Sequence, residues 1–533
     1  MRFIGIIGIV LFMGLAYIFS KNRKAINWRT IAWGLGLQVS FAMTILGDVN
    51  ISFITAGFLS LLITVYIAII RFIPWCQNNH PILWVRKTPS LVIVLISVIK
   101  IFIIGISLGY FFGKESEILL TNVINIIWGV VILVWVARKF NNSALLQKTP
   151  INSILVLLAI NMSLGLCISI AEITLGVRGT ISQNIQQLSI GVGNFLSIPT
   201  NAGASMIFGS LATIQEPWYF LFFVQVLPTI IFFSALISVL YYIGVIQVLI
   251  EELSQFMRWT MQTSGAETLS CAGNIFIGQT EAPILIKPYI KDMTKSEIHA
   301  VMTGGFSTIA GSVFAGLVAM GIDASYLISA SIMSAPAALM LSKMWYPETE
   351  SSKTTGDTHI PKIQISDNII GAAAQGTAEG LQLALNVGAM LLAFIALVTV
   401  VNMGLGTLQE GLSLDYIFGH IFQYVALVMG VIPQDAQAVG TLLGSKIAIN
   451  EFVAYGQLAE FVKNGTITPR SQAIATYALC GFANFSSIGI QIGGITPMAP
   501  ERKTDIASLG FTAMWAGACA SWMTATIAGI FIR

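Results

Sequence analysis

The stretch Asn274-Ile-Phe-Ile-Gly-Gln-Thr-Glu-Ala-Pro283 places a cluster of polar side chains inside a strongly apolar part of the chain. Gly278 and Pro283 bracket this cluster, and both residue types interrupt the hydrogen bonding of a continuous helix. At membrane depth, the backbone groups freed in this way must be satisfied by protein, water or ligand. A carboxylate such as that of Glu281 is also costly there and marks a functional site. The stretch therefore predicts a re-entrant hairpin that holds a polar solute.

The composition is that of a membrane protein. The chain has 533 residues, of which 56% are hydrophobic and only 10% are charged, and its mean hydropathy is +0.82. A soluble domain carries about 25% charged residues, whereas many apolar runs here reach the roughly 20 residues that a spanning helix needs. The net charge of +3 is small and scattered, which argues against a nucleic-acid partner. The five cysteines and four histidines show no ligand spacing, so neither a metal site nor a disulfide framework is indicated. We expect an all-α polytopic membrane protein.

The first third of the chain shows loops of alternating charge. An apolar run at residues 3–20 precedes Lys21, Arg23 and Lys24, and this order is opposite to that of a signal peptide. Because positive loops stay in the cytoplasm, we expect an uncleaved first helix with its N-terminus outside. Further spans are predicted at residues 29–48, 51–70, 89–112, 119–137 and 151–174.

The rest of the chain shows one pattern twice. The opening stretch and a second one, Lys446-Ile-Ala-Ile-Asn-Glu-Phe-Val-Ala-Tyr455, each precede an apolar segment with a glycine-flanked hydroxyl pair. We expect each of these two segments, 305–311 and 481–489, to lie inside a span that unwinds midway. A hairpin followed by a broken helix, repeated once, is the layout of secondary transporters with a midplane site.

The expected architecture is about twelve transmembrane helices and two re-entrant hairpins, forming an inverted-repeat transport core and a scaffold. The predicted segments after residue 175 are an external amphipathic helix within 180–213, an interfacial helix at 248–263, hairpins at 268–292 and 433–460, spans at 218–246, 297–320, 326–344, 385–404, 470–496 and 507–531, an amphipathic run at 375–383 and an outer-surface segment at 413–431. The predicted domains are N-terminal scaffold helices (1–50), an inserted block of helices (51–174), an external helix with a scaffold helix (175–246), a first transport repeat (247–345), a loop with scaffold and surface helices (346–431) and a second transport repeat (432–533).

Short motifs in this second part carry a resemblance to a known family. They are Gly278-Gln-Thr-Glu-Ala-Pro283, Met302-Thr-Gly-Gly-Phe-Ser-Thr-Ile-Ala-Gly-Ser312, Ser334-Ala-Pro-Ala-Ala338, Tyr346-Pro-Glu-Thr-Glu350, Leu383-Ala-Leu-Asn-Val-Gly-Ala389, Asn450-Glu-Phe-Val-Ala-Tyr455 and Cys480-Gly-Phe-Ala-Asn-Phe-Ser-Ser487. With these motifs in the family's order, residues 190–533 resemble the concentrative nucleoside transporters. Residues 1–48 resemble the family's first two spans, whereas residues 51–174 are an insertion relative to compact bacterial members.

The resemblance implies a nucleoside site shared by the two repeats. The hairpin residues of the first repeat would contact the base, for which a glutamine is suited because its amide both donates and accepts. A glutamate, an asparagine and a serine of the second repeat would contact the ribose, and two apolar residues would pack on base and sugar. The implied substrate-binding set is Gln279, Thr280, Glu281, Val313, Glu451, Phe482, Asn484 and Ser487.

The resemblance also implies a sodium site between the first hairpin and the first broken helix. Its ligands would be the side chains of Asn274 and Thr308 and the carbonyl groups of Ile277, Thr308 and Ile309. Neutral oxygens at an unwound turn suit a hard monovalent cation. Sodium would act as the coupling ion, and no other cofactor is expected.

Structural roles are the alternatives for these polar residues. They are an intramembrane ion pair of Glu281 or Glu451 with Lys287 or Lys446, helix–helix hydrogen bonds by Asn484 and Ser487, and a bond from Thr308 back to its own helix.

The implied function is sodium-coupled import of nucleosides by alternating access, in a homotrimer in the inner membrane of a bacterium. Proton coupling, with Glu281 or Glu451 titrating, is the alternative mechanism. A membrane receptor or an intramembrane enzyme is the alternative class, but the sequence contains no HExxH motif and resembles no catalytic dyad beyond the two glutamates. We therefore expect a transporter and not an enzyme, with nucleoside and membrane lipid as its partners.

Overall fold

The computed structural model describes residues 2–46, 198–208, 226–354 and 366–532, together with a few single residues. The single residues are Thr55, Leu59, Leu62, Tyr66, Leu196 and Val224. Every regular element in these ranges is helical. Contacts divide the chain into two units, Met1–Ala42 with Ile185–Arg533, and Met43–Asn184. The second unit lies almost wholly outside the described residues, as does most of the predicted external helix, so the inserted block 51–174 stays a prediction.

The N-terminal helices are α1 (Arg2–Ile18) and α2 (Trp28–Leu46), which correspond to the first two predicted spans. α1 lies against the C-terminal helix of the chain at a glycine. A β-carbon at Gly5 would lie 2.7 Å from the side chain of Ile530. Small residues allow such close approach between helices in a membrane.

A sharp bend separates α3 (Leu227–Ile243) from α4 (Val245–Met261), and the two helix axes differ by 75°. Gly244 forms the bend with a left-handed φ of +88°, which glycine adopts without steric cost. α4 is the interfacial helix predicted at 248–263. It begins and ends slightly earlier than predicted, because the glycine at the bend fixes its first residue.

The first hairpin, here hairpin 1 (residues 265–292), is asymmetric. Its first arm is α5 (Gly265–Gly273), and its second arm consists of two 3-10 turns, Ala282–Ile286 and Ile290–Asp292. Pro283 lies in the first of these turns, where it lacks an amide hydrogen to donate. With two separate turns in place of one helix, the second arm is less regular than the first.

The span that follows hairpin 1 is broken. α6 (Lys295–Ser307) ends at Thr308, whose backbone is extended with φ −124° and ψ 165°. α7 (Gly311–Ala319) and α8 (Ala324–Trp345) complete the first repeat. The break lies inside the segment for which unwinding is predicted.

A single helix of 40 residues, α9 (Ile369–Leu408), covers the amphipathic run at 375–383 and the span at 385–404 that the sequence separates. No proline interrupts these residues, so the helix continues from one into the other. α9 packs on α3, where a β-carbon at Gly380 would lie 2.9 Å from the Cα of Ile231.

The second repeat follows α10 (Leu414–Val428), the segment predicted to lie on the outer surface. Its hairpin, here hairpin 2 (residues 436–463), consists of α11 (Ala436–Ala448) and α12 (Glu451–Lys463). The two halves of the second broken helix are α13 (Pro469–Leu479) and α14 (Phe485–Ile495), and α15 (Lys503–Phe531) is the last helix. The order of hairpin and broken helix thus occurs twice in the described residues.

Four helical stretches in the described ranges are long and apolar enough to cross a membrane. They are Lys295–Ala319, Ala324–Trp345, Ile369–Leu408 and Pro500–Phe531. The bent pair α3–α4 would make a fifth. The total of about twelve spans includes segments outside those ranges and stays a prediction.

Candidate functional site

Asn274 follows the first arm of hairpin 1, and only one of its two polar side-chain atoms is hydrogen-bonded in the described part of the chain. Its Nδ2 donates to the carbonyl oxygen of Ser270 at 3.1 Å. Its Oδ1 is buried, with no hydrogen-bond partner in the described part of the chain. A buried polar atom without a partner costs about 1–3 kcal/mol, so this oxygen is suited to a ligand that can approach it, such as a cation.

The other residues implied for sodium lie beside Asn274 or at the break after α6. Thr308 donates its hydroxyl hydrogen to the carbonyl oxygen of Gly304 at 3.1 Å, and its oxygen lone pairs remain for a ligand. Gly304 also contacts Asn274, because a β-carbon there would lie 3.3 Å from Asn274 Nδ2. Ile277 and Ile309 are both buried. Gly304 thus lies beside both predicted side-chain ligands, and neutral oxygens of this kind fit a monovalent cation.

The tip of hairpin 1 contacts the second repeat at α14. Gln279 Nε2 lies 3.4 Å from the hydroxyl oxygen of Ser487, and Gln279 Oε1 accepts from Gln491 Nε2 at 3.1 Å. A β-carbon at Gly494 would lie 2.5 Å from Thr280 Cγ2, so a glycine is needed where Thr280 rests. The base-contacting residues of the first repeat therefore meet the second repeat directly.

At the N-terminus of α14, a buried cluster contains the residues implied for the ribose. Asn484 Nδ2 donates to Glu451 Oε2 at 3.1 Å, and Asn484 Oδ1 caps α14 by accepting from the backbone N–H of Ser487 at 2.8 Å. Asn450 caps α12 in the same way, accepting from the N–H of Val453 at 2.9 Å. Glu451 is therefore the first residue of a capped helix, where the helix dipole favours a negative charge.

Within the part of the chain that the structure describes, neither glutamate of the site forms an ion pair. Glu281 folds back and accepts from a backbone N–H of its own hairpin, that of Gly278, and the salt bridges of the described residues include neither Glu281 nor Glu451. Lys446 donates to a backbone carbonyl of α13 at 2.9 Å, and Lys287 is exposed. These contacts argue against the ion-pair alternative for both glutamates.

The two broken helices cross at their breaks. The N–H of Phe482 donates to the carbonyl oxygen of Thr308 at 3.2 Å. Gly481 has φ of +138°, and a β-carbon there would lie 2.7 Å from the carbonyl oxygen of Phe306, so the crossing needs glycine. Val313 and Phe482 are both buried near these breaks. A carbonyl implied for sodium thus contacts the backbone of a residue implied for the nucleoside.

Gln491 is a residue of this site that the sequence interpretation missed. It is fully buried in α14 and bonds to Gln279. Its signal was its spacing, because it follows Ser487 by four residues and therefore lies on the same face of the helix.

Hairpins, broken helices and buried polar groups at the crossing together define a membrane transport protein. A comparison with family models matches residues 7–68 to "Na+ dependent nucleoside transporter N-terminus", 223–324 to "Nucleoside recognition" and 326–529 to "Na+ dependent nucleoside transporter C-terminus". An uncharacterized transporter of Haemophilus influenzae is 43% identical over 425 residues, which are 77% of this chain and 98% of the relative. The chain belongs to the family of sodium-dependent nucleoside transporters, which are integral membrane transporters and not enzymes.

Further comparisons agree with this family. Sodium/nucleoside cotransporter 1 of Homo sapiens is 45% identical over 356 residues, covering 63% of this chain and 54% of the human protein, so the match spans about half of that relative. The structure of CNTnw in an inward-facing substrate-bound state has a TM-score of 0.67 and 31% identity, covering 100% of this chain and 99% of that one. A CNTnw variant in an outward-facing state has a TM-score of 0.68 and 30% identity, covering 99% and 97%.

Proposed function

We propose that this protein imports nucleosides across the inner membrane of a bacterium and couples their movement to the entry of sodium. The named cotransporter among its relatives supports the substrate class and the ion, and the Haemophilus relative supports a bacterial membrane. The observation that carries the proposal is the contact of Gln279 with α14, on which Asn484 and Ser487 join it to Glu451.

This geometry suits the two ends of a nucleoside. Glu451 is 4% exposed, and only part of its acceptor capacity is used by Asn484. A carboxylate that accepts from two adjacent ribose hydroxyls makes strong, charge-assisted hydrogen bonds. Gln279 and Thr280 would face the base, with Glu281 beside them, while Val313 and Phe482 would supply apolar contact.

The sodium ion would bind between Asn274 and Thr308, with the carbonyls of Ile277 and Ile309. The buried Oδ1 of Asn274 without a protein partner supports this position. The carbonyl of Thr308 contacts Phe482, so an ion there and a nucleoside beyond it would order the same backbone. Reciprocal coupling follows, because each ligand then raises the affinity for the other.

Transport would proceed by alternating access. The two hairpins and their broken helices would move together against a scaffold that includes α3 and α9. The membrane potential would contribute to the driving free energy, since one charge that moves down 100 mV supplies about 2.3 kcal/mol.

We propose that the protein acts as a homotrimer, with its N-terminus outside. Exposed apolar side chains of α9, such as Leu392 at 73% and Met403 at 69%, offer surface for subunit or lipid contact.

The test is uptake of labelled uridine into liposomes that contain the purified protein. We expect uptake with an inward sodium gradient and little uptake when choline replaces sodium. Uptake that persists in choline and follows an imposed proton gradient would instead support proton coupling. Chemical conversion of the nucleoside by the protein would contradict the transporter assignment.

A variant pair tests the ion site. Asn274→Leu removes the buried Oδ1, and we expect the sodium concentration for half-maximal uptake to rise about tenfold, as loss of one ligand predicts. Asn464→Leu, at an exposed asparagine after α12, is the control and should leave that concentration unchanged. Equal sodium dependence in the two variants would remove Asn274 from the site.

A further inference from the structure

Gln491 connects its own helix to two other elements. It lies on α14, and its Nε2 donates to the backbone carbonyl oxygen of Met302 on α6 at 3.1 Å and to Gln279 Oε1 on hairpin 1 at 3.1 Å. The approach is close, because a β-carbon at Gly305 would lie 2.6 Å from Gln491 Nε2 and 3.0 Å from Gln279 Cβ. A side chain at Gly305 would push the Gln491 amide from this position, so glycine leaves room for the pair of glutamines.

The backbone carbonyl decides which way both amides point. A carbonyl oxygen can only accept, so the atom of Gln491 that faces Met302 must be the NH₂ group. The same NH₂ group faces Gln279, so the atom of Gln279 that meets it must be the oxygen. Gln279 is thereby left with its own NH₂ group on the side of Ser487, at 3.4 Å from the hydroxyl oxygen.

We infer that Gln491 is a positioning residue that fixes the Gln279 amide with its NH₂ group toward the nucleoside base, so that the site favours bases with a carbonyl oxygen over bases with an amino group. This inference rests on the proposed function. The base position that distinguishes uridine from cytidine carries an oxygen in the first and an amino group in the second, and inosine and adenosine differ in the same way. An amide NH₂ donates to the oxygen and has no acceptor to offer the amino group.

The wild-type protein gives the first measurement. Uptake of uridine and of cytidine is compared in liposomes under a sodium gradient, at concentrations below saturation. One hydrogen bond made to one base and not the other predicts a preference of about fivefold for uridine, and inosine should exceed adenosine if purines are accepted. Equal uptake of uridine and cytidine would overturn the inference even if no variant folds.

Two variants test the role of Gln491 itself. Gln491→Leu leaves the Gln279 amide free to rotate, so the ratio of uridine to cytidine should fall toward one. Gln491→Glu in its neutral form places its O–H oxygen where Nε2 lies in the wild type, and its single hydrogen goes to the Met302 carbonyl. The same oxygen then has only lone pairs to offer Gln279. The Gln279 amide then rotates, presents its oxygen to the base, and should reverse the preference in favour of cytidine.

The control is Gln409→Leu, the same change at an exposed glutamine after α9, which should keep the wild-type ratio. A purely structural role of Gln491 would reduce uptake of both nucleosides equally and leave the ratio unchanged, and that result would overturn the inference alone. Absence of sodium-driven uptake of every nucleoside in the wild-type protein would overturn the proposed function and the inference with it.

Discussion

Glu451 shows how a single buried side chain can create the need for a polar ligand. It is buried, carries one amide contact from Asn484 at 3.1 Å, and has no ion-pair partner among the described residues. A lone carboxylate in a membrane is costly, and two hydroxyl groups of a ligand would offset that cost directly. The need for such a ligand is a physical reason for its presence.

We predict that Glu451→Gln abolishes nucleoside uptake while the protein still reaches the membrane. Loss of two charge-assisted hydrogen bonds, each worth about 1.5–3 kcal/mol, corresponds to a reduction in uptake of at least about 100-fold. Glu460→Gln, the same change at an exposed residue of α12, is the matched control. Wild-type uptake by the Glu451 variant would remove it from the ribose site.

The sequence predicts most residues of this candidate site but not the orientation of their amides. Glu451 and Gln279 stood out because polar residues are rare in apolar runs, and motif resemblance paired them across the repeats. Gln491 escaped notice, since a lone glutamine in α14 carries no distinctive motif. The direction of the amides depends on the Met302 carbonyl, which only the folded chain brings to Gln491.

At the scale of elements, the crossing of the two broken helices depends on one glycine. Gly481 combines a φ of +138° with a β-carbon position 2.7 Å from the Phe306 carbonyl oxygen. The sequence predicts a break in each helix. It does not predict that the breaks touch, because that contact joins residues far apart in the chain.

Gly481→Ala should therefore separate the breaks. We expect a loss of stability of about 1–3 kcal/mol, the usual cost of a strained backbone, and weaker binding of both sodium and nucleoside. Thermal unfolding of the purified protein and sodium-dependent uptake measure the two effects. Gly489→Ala in α14, where a β-carbon meets nothing within 4 Å, should be neutral or stabilising. Similar behaviour of the two variants would contradict the role of the crossing.

A buried charge network at the base of hairpin 1 is a second element-scale feature that the sequence did not reveal. Lys343 on α8 lies 2.7 Å from Glu267 on α5 and donates to Ser296 Oγ on α6 at 2.8 Å. Glu348, in the loop after α8, lies 3.5 Å from the same ammonium group. The network thus ties hairpin 1 to both helices that support it.

Lys343→Met should destabilise the protein by about 3–5 kcal/mol, because it leaves the buried Glu267 carboxylate without its partner. The midpoint of thermal unfolding should fall accordingly. Lys353→Met is the control, since Lys353 is 76% exposed and lies 3.9 Å from Asp292, and exposed pairs contribute about 0–1 kcal/mol. Restoration of stability in Lys343→Met with Glu267→Gln would show that the orphaned carboxylate causes the loss, and equal melting of the two lysine variants would refute it.

In the molecule as a whole, α3 contacts both the proposed scaffold and the broken helices that are proposed to move. On one side it packs on α9, and a β-carbon at Gly376 would lie 2.6 Å from Ser238 Cβ. On the other it packs on α7, and a β-carbon at Gly316 would lie 3.0 Å from Ile230 Cγ1. The proposed alternating access requires that α7 slides along α3, whereas α9 stays fixed on α3.

Paired cysteines on α3 distinguish these two contacts. Ile230→Cys with Gly316→Cys joins α3 to the broken helix, and Ser238→Cys with Gly376→Cys joins α3 to α9. In the first pair, the β-carbon position at Gly316 lies 3.0 Å from Ile230 Cγ1, so the two helices are close enough to be joined. In the second pair, the two β-carbon positions lie only 2.6 Å apart, below the roughly 3.5–4.5 Å of a disulfide, so α9 must shift slightly from α3 for that bond to form. After oxidation, we expect the first pair to lose uridine uptake and to recover it on reduction, whereas the second pair keeps it. Each single replacement serves as the control for oxidation of the native cysteines. Uptake that continues in the oxidised first pair, with the crosslink shown by mass spectrometry, would exclude movement of α7 along α3.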